Sequence, residues 1–275
     1  MTGARPRTSD LQDLFATATR ELRTVVRTPA VVALSVVFAL SVVAVAAAGS
    51  GSRGGYVPLV LDLVPFVEAL VPLLAFALCY RAVLSDRKSG ELDVLRTFDV
   101  SRVAYVGGVF LGRSLALVTI VFGSLLVAAA TVPLLSPDKS TFLALNAAAD
   151  SPVAFVRFAV LAVLFALATA AVALAISAAA RTARQALALA VGLLVAFVVG
   201  VDAAAVAGLT SGTIGIDAVP YLLAVSPNGA FRSLVFGVAV ETGSAASPLA
   251  AVVGLVGWVG GALAVAVLTA WQPVE

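Results

Sequence analysis

An all-α integral membrane fold with six transmembrane helices follows from three features of the sequence: its apolar content, the length of its apolar blocks and the alternation of its cations. Of 275 residues, 61% are hydrophobic and 12% charged, and the mean hydropathy is +1.11. Soluble domains are about half apolar and about a quarter charged. Blocks near the roughly 20 residues that cross about 30 Å of hydrocarbon at 1.5 Å per residue occupy 30–48, 59–80, 114–135, 153–180, 185–209 and 249–271. The polar segments between them are too short for a second core, so residues 1–275 read as one transmembrane domain. Thirteen of the 17 cations, including Arg5, Arg23, Arg87, Lys88, Arg102, Arg113 and Arg184, fall in alternate segments. Cytoplasmic loops are the ones enriched in Lys and Arg, which predicts a multi-pass protein of the cell membrane with both termini in the cytoplasm.

The leader, 1–28, carries Leu11, Leu14, Phe15, Ala18, Leu22, Val25 and Val26 at three- and four-residue steps, opposite Asp13, Thr17, Arg20 and Arg27. This periodicity predicts an amphipathic helix on the membrane surface, with Ser9 and Gln12 as a capping box at its start. The block from Ala30 to Ala48 is long enough to span and is not a cleaved signal segment. The second span holds Glu68 on one face with Pro65 and Pro72. Pro72 has no N–H for the carbonyl of residue 68, so a kink is expected beside the carboxylate. An acid in the bilayer is a functional candidate by default; Glu68, Pro72 and, in the fifth span, Asp202 are the candidates for a translocation path. The competing reading pairs Glu68 structurally with an arginine or sets it at the outer interface.

In the inner loop, 81–113, Leu92, Val94, Leu95 and Phe98 can share one face of a two-turn helix, leaving Glu91, Asp93 and Arg96 wet. So short a helix is marginal alone in water, so it rests on its own bundle or in a groove of another protein. Gly107 to Ser114 nearly spells a phosphate loop, but Arg113 stands where that motif has Lys and no strand precedes it; close helix packing through the glycines is the simpler account. Ala168 to Ala180, and Gly254, Gly257, Gly260 and Gly261, allow close packing in the bundle or across a dimer, or fill a lipid-facing surface. The outer segment, 210–248, has apolar runs at Val219–Val225 and Phe231–Val240 that are too short to cross and are interrupted by proline and glycine. It reads as two short re-entrant or surface helices, with Ser226, Pro227 and Asn228 as turn and cap formers.

Histidine is absent and cysteine is limited to Cys79, which excludes imidazole-dependent catalysis, most metal centres and an internal disulfide. A net charge of +2 does not suggest nucleic acid as a partner. No Asp-x-x-x-Asp or Asn-Asp cluster is present to hold magnesium and a phosphate, which argues against a lipid-modifying transferase.

The run Asp86…Ser89-Gly90-Glu91-Leu92…Leu95…Ser101-Arg102 resembles the inner loop of type-2 ABC transporter permeases, in particular the NosY-like branch. Ser226-Pro227-Asn228-Gly229-Ala230-Phe231-Arg232 resembles that family's Ser-Pro-x-x-Ala-Phe/Tyr-Arg element between the fifth and sixth spans. Asp86 stands where Glu is usual and Asp99 where Pro is common, which lets the short helix run on. The resemblance implies a dimer of permease subunits joined to two cytoplasmic ATPases, which alone hold ATP and magnesium. It makes 86–102 a coupling helix, with Asp86, Gly90, Leu92, Leu95, Phe98 and Arg102 as its contact residues, and sets the leader helix beside the ATPase. It further implies transport by alternating access, more often export, with no catalytic residue or metal in this chain. The rival expectation is a self-contained secondary transporter using Glu68 and Asp202 for ion coupling; such proteins often show related halves, and none is visible here.

Overall fold

A computed structural model describes residues 7–49, 54–98, 100–135, 150–196, 200–213, 215, 226–240 and 247–272. Every regular element among them is helical. Helix α1 (Arg7–Arg27) leads into α2 (Pro29–Ala48). Then come α3 (Tyr56–Cys79), the short α4 (Ala82–Lys88) and α5 (Glu91–Thr97), α6 (Arg102–Ala129) and the single turn α7 (Thr131–Leu135). The second half contains α8 (Pro152–Ala179), α9 (Ala183–Val195), α10 (Val201–Thr210), α11 (Pro227–Leu234) and α12 (Pro248–Thr269).

Helix α8 is the hub on which α3, α6 and α12 pack. It is buried along most of its length, whereas α2 and α12 leave most of theirs exposed. The alanine run explains the central place of α8: Ala168, Ala170, Ala171, Ala173 and Ala178 have no exposed surface, because small side chains let neighbouring backbones approach closely. Phe155, Phe158 and Phe165 fill the wider gaps, and Phe165 stacks on Phe231 of α11 with ring centroids 4.8 Å apart. The glycines of α12 behave differently. A Cβ at Gly257, Gly260 or Gly261 would meet no atom within 4 Å, so these positions serve no close packing among the described residues.

Local chemistry sets several helix ends. Ser101 caps α6 by accepting from the Ala104 N–H at 3.1 Å, and Thr182 caps α9 by accepting from Gln185. The Asp150 carboxylate accepts from the Val57 N–H at 2.8 Å, capping α3 from 93 residues away. The hydroxyl of Ser177 in α8 accepts from the N–H groups of Val83 and Leu84, satisfying the free donors at the start of α4.

Five helical stretches are long and apolar enough to cross a membrane among the described residues, and the sixth expected span is not confirmed as one helix. Three details differ from expectation. The block 185–209 is shared between α9 and α10, with wider π-type turns at Ala196 and Gly200; a change of hydrogen-bond register leaves no trace in hydropathy. Helix α6 starts at Arg102, well before the expected span at 114–135, because apolar content marks only the part of a helix that tolerates lipid. Ser9 lies inside the first turn of α1 rather than before it. In the outer segment, Val219–Val225 falls outside the described residues. The second run forms α11 and a π-type turn over Val235–Ala239.

Candidate functional site

The loop between α3 and α6 folds as a helical hairpin. Gly90 turns the chain between α4 and α5 at φ +76°, a left-handed conformation that favours glycine. The four apolar residues of α5 and its exit do not share one environment: Leu92 is buried, Leu95 is half-buried, and Val94 and Phe98 are 56% and 71% exposed. Arg102 is exposed at the start of α6. Asp99 lies outside the described residues, and α5 stops at Thr97 rather than running on.

Glu91 and Arg96 stay substantially exposed, as the loop's pattern suggested, yet each also has a partner. Arg96 donates to the Trp271 carbonyl at 2.6 Å and sits 5.5 Å from the centre of its indole ring. Glu91 pairs with Arg20 of α1. The Asp86 carboxylate accepts from Arg20 at 2.9 Å and from the Tyr105 hydroxyl of α6 at 2.8 Å. Burial works against charge on Arg20, but the neighbouring carboxylates of Asp86 and Glu21 outweigh it and hold the guanidinium above its ordinary pKa. Glu21, itself 3% exposed, also binds Arg113 of α6 at 2.8 Å, and Arg113 donates to the carbonyl of Leu78 at the end of α3.

Arg87 reaches furthest. Its guanidinium donates to the carbonyls of Ala178 and Ala180 at the end of α8 and of Thr269 and Ala270 at the end of α12. The last carbonyls of a helix lack intrahelical donors and carry its negative dipole end. One fixed cationic fork serves two such ends at once.

Helix α1 lies against α6. Its buried face is Thr17, Ala18, Glu21 and Val25, which corrects the assignment of Thr17 to the wet side. The glycines of the near phosphate loop make this approach possible. A Cβ at Gly108 would lie 2.6 Å from the Thr17 Cβ and 2.7 Å from the Leu14 carbonyl oxygen, and one at Gly112 would lie 2.8 Å from the Glu21 Cβ. These residues sit inside continuous helix, where no free N–H groups remain to cradle phosphate.

A second constellation joins α3 to α11. Glu68 is 5% exposed, and Arg232 holds both its carboxylate oxygens, Nε at 2.8 Å and Nη2 at 2.6 Å. Helix α3 continues through Pro65 and Pro72. The Glu68 carbonyl that Pro72 leaves without a partner receives the Asn228 side-chain amide at 3.4 Å. Ser226 caps α11 at the Gly229 N–H, and Pro227 and Phe231 are buried beside it. The two residue sets singled out separately in the sequence are therefore one unit, and the structural pairing of Glu68 is the reading the geometry favours. Asp202 falls in the first turn of α10, with its side chain outside the described residues.

The family model for ABC-2 family transporter protein matches residues 15–271. The chain belongs to the ABC-2 transporter family. The "Probable ABC transporter permease protein NosY" of Pseudomonas aeruginosa is 31% identical over 229 residues, covering 80% of each chain. This ABC-2 permease is a helical, multi-pass membrane subunit of an ABC transporter. The sequence did not mark Arg20, Glu21, Tyr105, Arg87, Arg96, Ser177 or Trp271 as parts of its site. Only Glu21, an acid at a helical step from Thr17, Ala18 and Val25, carries a local signal that could have revealed a buried ion pair.

Proposed function

We propose that the α4–α5 hairpin is where a separate cytoplasmic ABC ATPase docks, and that the permease moves its substrate outward by alternating access. The carrying observation is the contrast within the hairpin. Val94 and Phe98 are exposed, while Arg20, Arg87 and Arg96 fasten the same hairpin to α1, α8 and the end of α12. A mobile loop would absorb a push, whereas a fastened one passes it to the spans. ATP and magnesium belong to the ATPase in this reading; the permease contributes docking and movement.

The working unit is a dimer of permease subunits in the cell membrane, each with six spans and cytoplasmic termini, with α9 and α10 together forming the fifth. Nucleotide binding draws the ATPases together, the hairpins move, and α8 and α12 carry the displacement to the outer side. There the Glu68–Arg232 pair makes α3 and α11 move as one. The same pair counts against a self-contained secondary transporter, because a carboxylate held on both oxygens by a guanidinium is a poor coupling site for a free ion or proton. Co-purification tests the proposal: an ABC ATPase accompanies the wild-type chain from native membranes, and Phe98→Glu abolishes its recovery while leaving the permease's melting temperature unchanged. Equal recovery with both forms contradicts it.

A further inference from the structure

The arginines around the hairpin end of the bundle differ in their partners. Arg20, Arg87, Arg96 and Arg113 are engaged by acids or helix-end carbonyls. Arg23 and Arg27, one turn apart on α1, are exposed, and among the described residues neither has an ion-pair partner. Together with Phe15, Thr19 and Thr24 they line an open hollow of about 650 Å³ on that side of the helix. On the adjoining face of α1, Leu22 and Val26 open into a second groove, of about 760 Å³. It continues between α2, from Val31 to Val43, and α6, from Ala116 to Val127. These stretches are about 17–18 Å long at 1.5 Å per residue, and one leaflet is about 15 Å deep, half the hydrocarbon thickness. The groove thus has a leaflet's length, apolar walls and two spare cations at its α1 end.

We propose that this junction binds an anionic phospholipid of the inner leaflet, with an acyl chain along the α2–α6 groove and the phosphate on Arg23 and Arg27. The charge requirement comes from the unpartnered guanidinium groups, which match phosphate oxygens in geometry. The chain requirement comes from the groove, whose exposed Val32, Val36 and Leu40 have no other apolar cover among the described residues. The lipid fills the angle between α1 and α2 and holds the helix that carries Arg20 and Glu21 to the hairpin. The proposal rests on the cytoplasmic placement of α1 argued above. Its test needs neither ATPase nor transport, so its failure leaves the docking reading standing, and a failed ATPase recovery leaves the lipid result readable.

Native mass spectrometry of the detergent-purified chain, titrated with dioleoylphosphatidylglycerol or dioleoylphosphatidylcholine, counts the retained lipid. Wild type retains the anionic lipid preferentially. Each arginine near an anionic lipid is worth about fivefold in binding, so Arg23→Gln/Arg27→Gln removes most of the preference, and Arg181→Gln/Arg184→Gln keeps it. At Gly123, which lines the groove, an added Cβ meets nothing within 4 Å. Gly123→Leu therefore fills the groove without a clash and lowers retention of both lipids. Equal retention of the two lipids by wild type, or a preference that survives the Arg23→Gln/Arg27→Gln change, overturns the proposal. So does a Gly123→Leu protein that keeps its lipid but changes from dimer to monomer, since the groove is then a subunit interface.

Discussion

Arg87 and the Glu68–Arg232 pair are the residues whose chemistry can be tested one atom group at a time. Lysine keeps the charge of Arg87 but not a planar fork able to reach four carbonyls on two helices. A hydrogen bond to a charged group is worth about 1.5–3 kcal/mol, and partial exposure reduces that here. Arg87→Lys is expected to lower unfolding stability by about 1–2 kcal/mol, followed by the fluorescence of Trp258 and Trp271; an unchanged transition contradicts the two-helix cap. At the other end, Glu68 is buried but Arg232 is partly exposed, so removing one partner costs less than the about 3–5 kcal/mol of a fully buried pair, whereas replacing both by apolar residues is often neutral. Glu68→Ala and Arg232→Ala should each destabilise, and Glu68→Leu/Arg232→Leu should recover most of the loss in a double-mutant cycle. Additive losses would show that the two groups act independently. An acid within an apolar span was plain in the sequence, but the partner lies 164 residues away, and no local spacing encodes that contact.

Helices meet here through glycine where the approach is close and through larger apolar side chains elsewhere. Gly112→Ala on α6 places a methyl group against Glu21 and the backbone of α1. Overpacking of this kind costs about 1–3 kcal/mol, and α1 should become more sensitive to trypsin at Arg20, Arg23 and Arg27. Gly257→Ala on α12 enters open space and should be neutral or stabilising by about 0.5–1 kcal/mol. Equal protease sensitivity of the two variants would contradict the α1–α6 contact. In the hairpin, Leu92→Ala should cost about 2–5 kcal/mol, as buried leucines do, while Phe98→Ala leaves stability unchanged in the same melting assay. The apolar blocks of the sequence located the cores of α2, α3, α6, α8 and α12, since lipid solubility and helix length are both local properties. The early start of α6, the split between α9 and α10 and the breaking of the hairpin's apolar face into buried Leu92 and exposed Phe98 depend on caps, hydrogen-bond register and neighbouring helices. None of these appears in hydropathy.

For the molecule as a whole, the hairpin end of the bundle is a continuous network: α5 to α1 through Glu91 and Arg20, α4 to α8 and α12 through Arg87, α1 to α6 through Glu21 and Arg113. Family membership was legible from the order of two short motifs in a matching layout, but the fastening of the α4–α5 hairpin to the far end of the chain was not. The central claim is that exposed Phe98, at the end of this network, faces the ATPase. Site-specific photocrosslinking in native membranes tests it directly, with a benzophenone amino acid placed either at position 98 or at exposed Val36 on α2. The account predicts an adduct with an ABC ATPase from position 98 and none from position 36; an adduct from position 36 alone, or from neither, would contradict it.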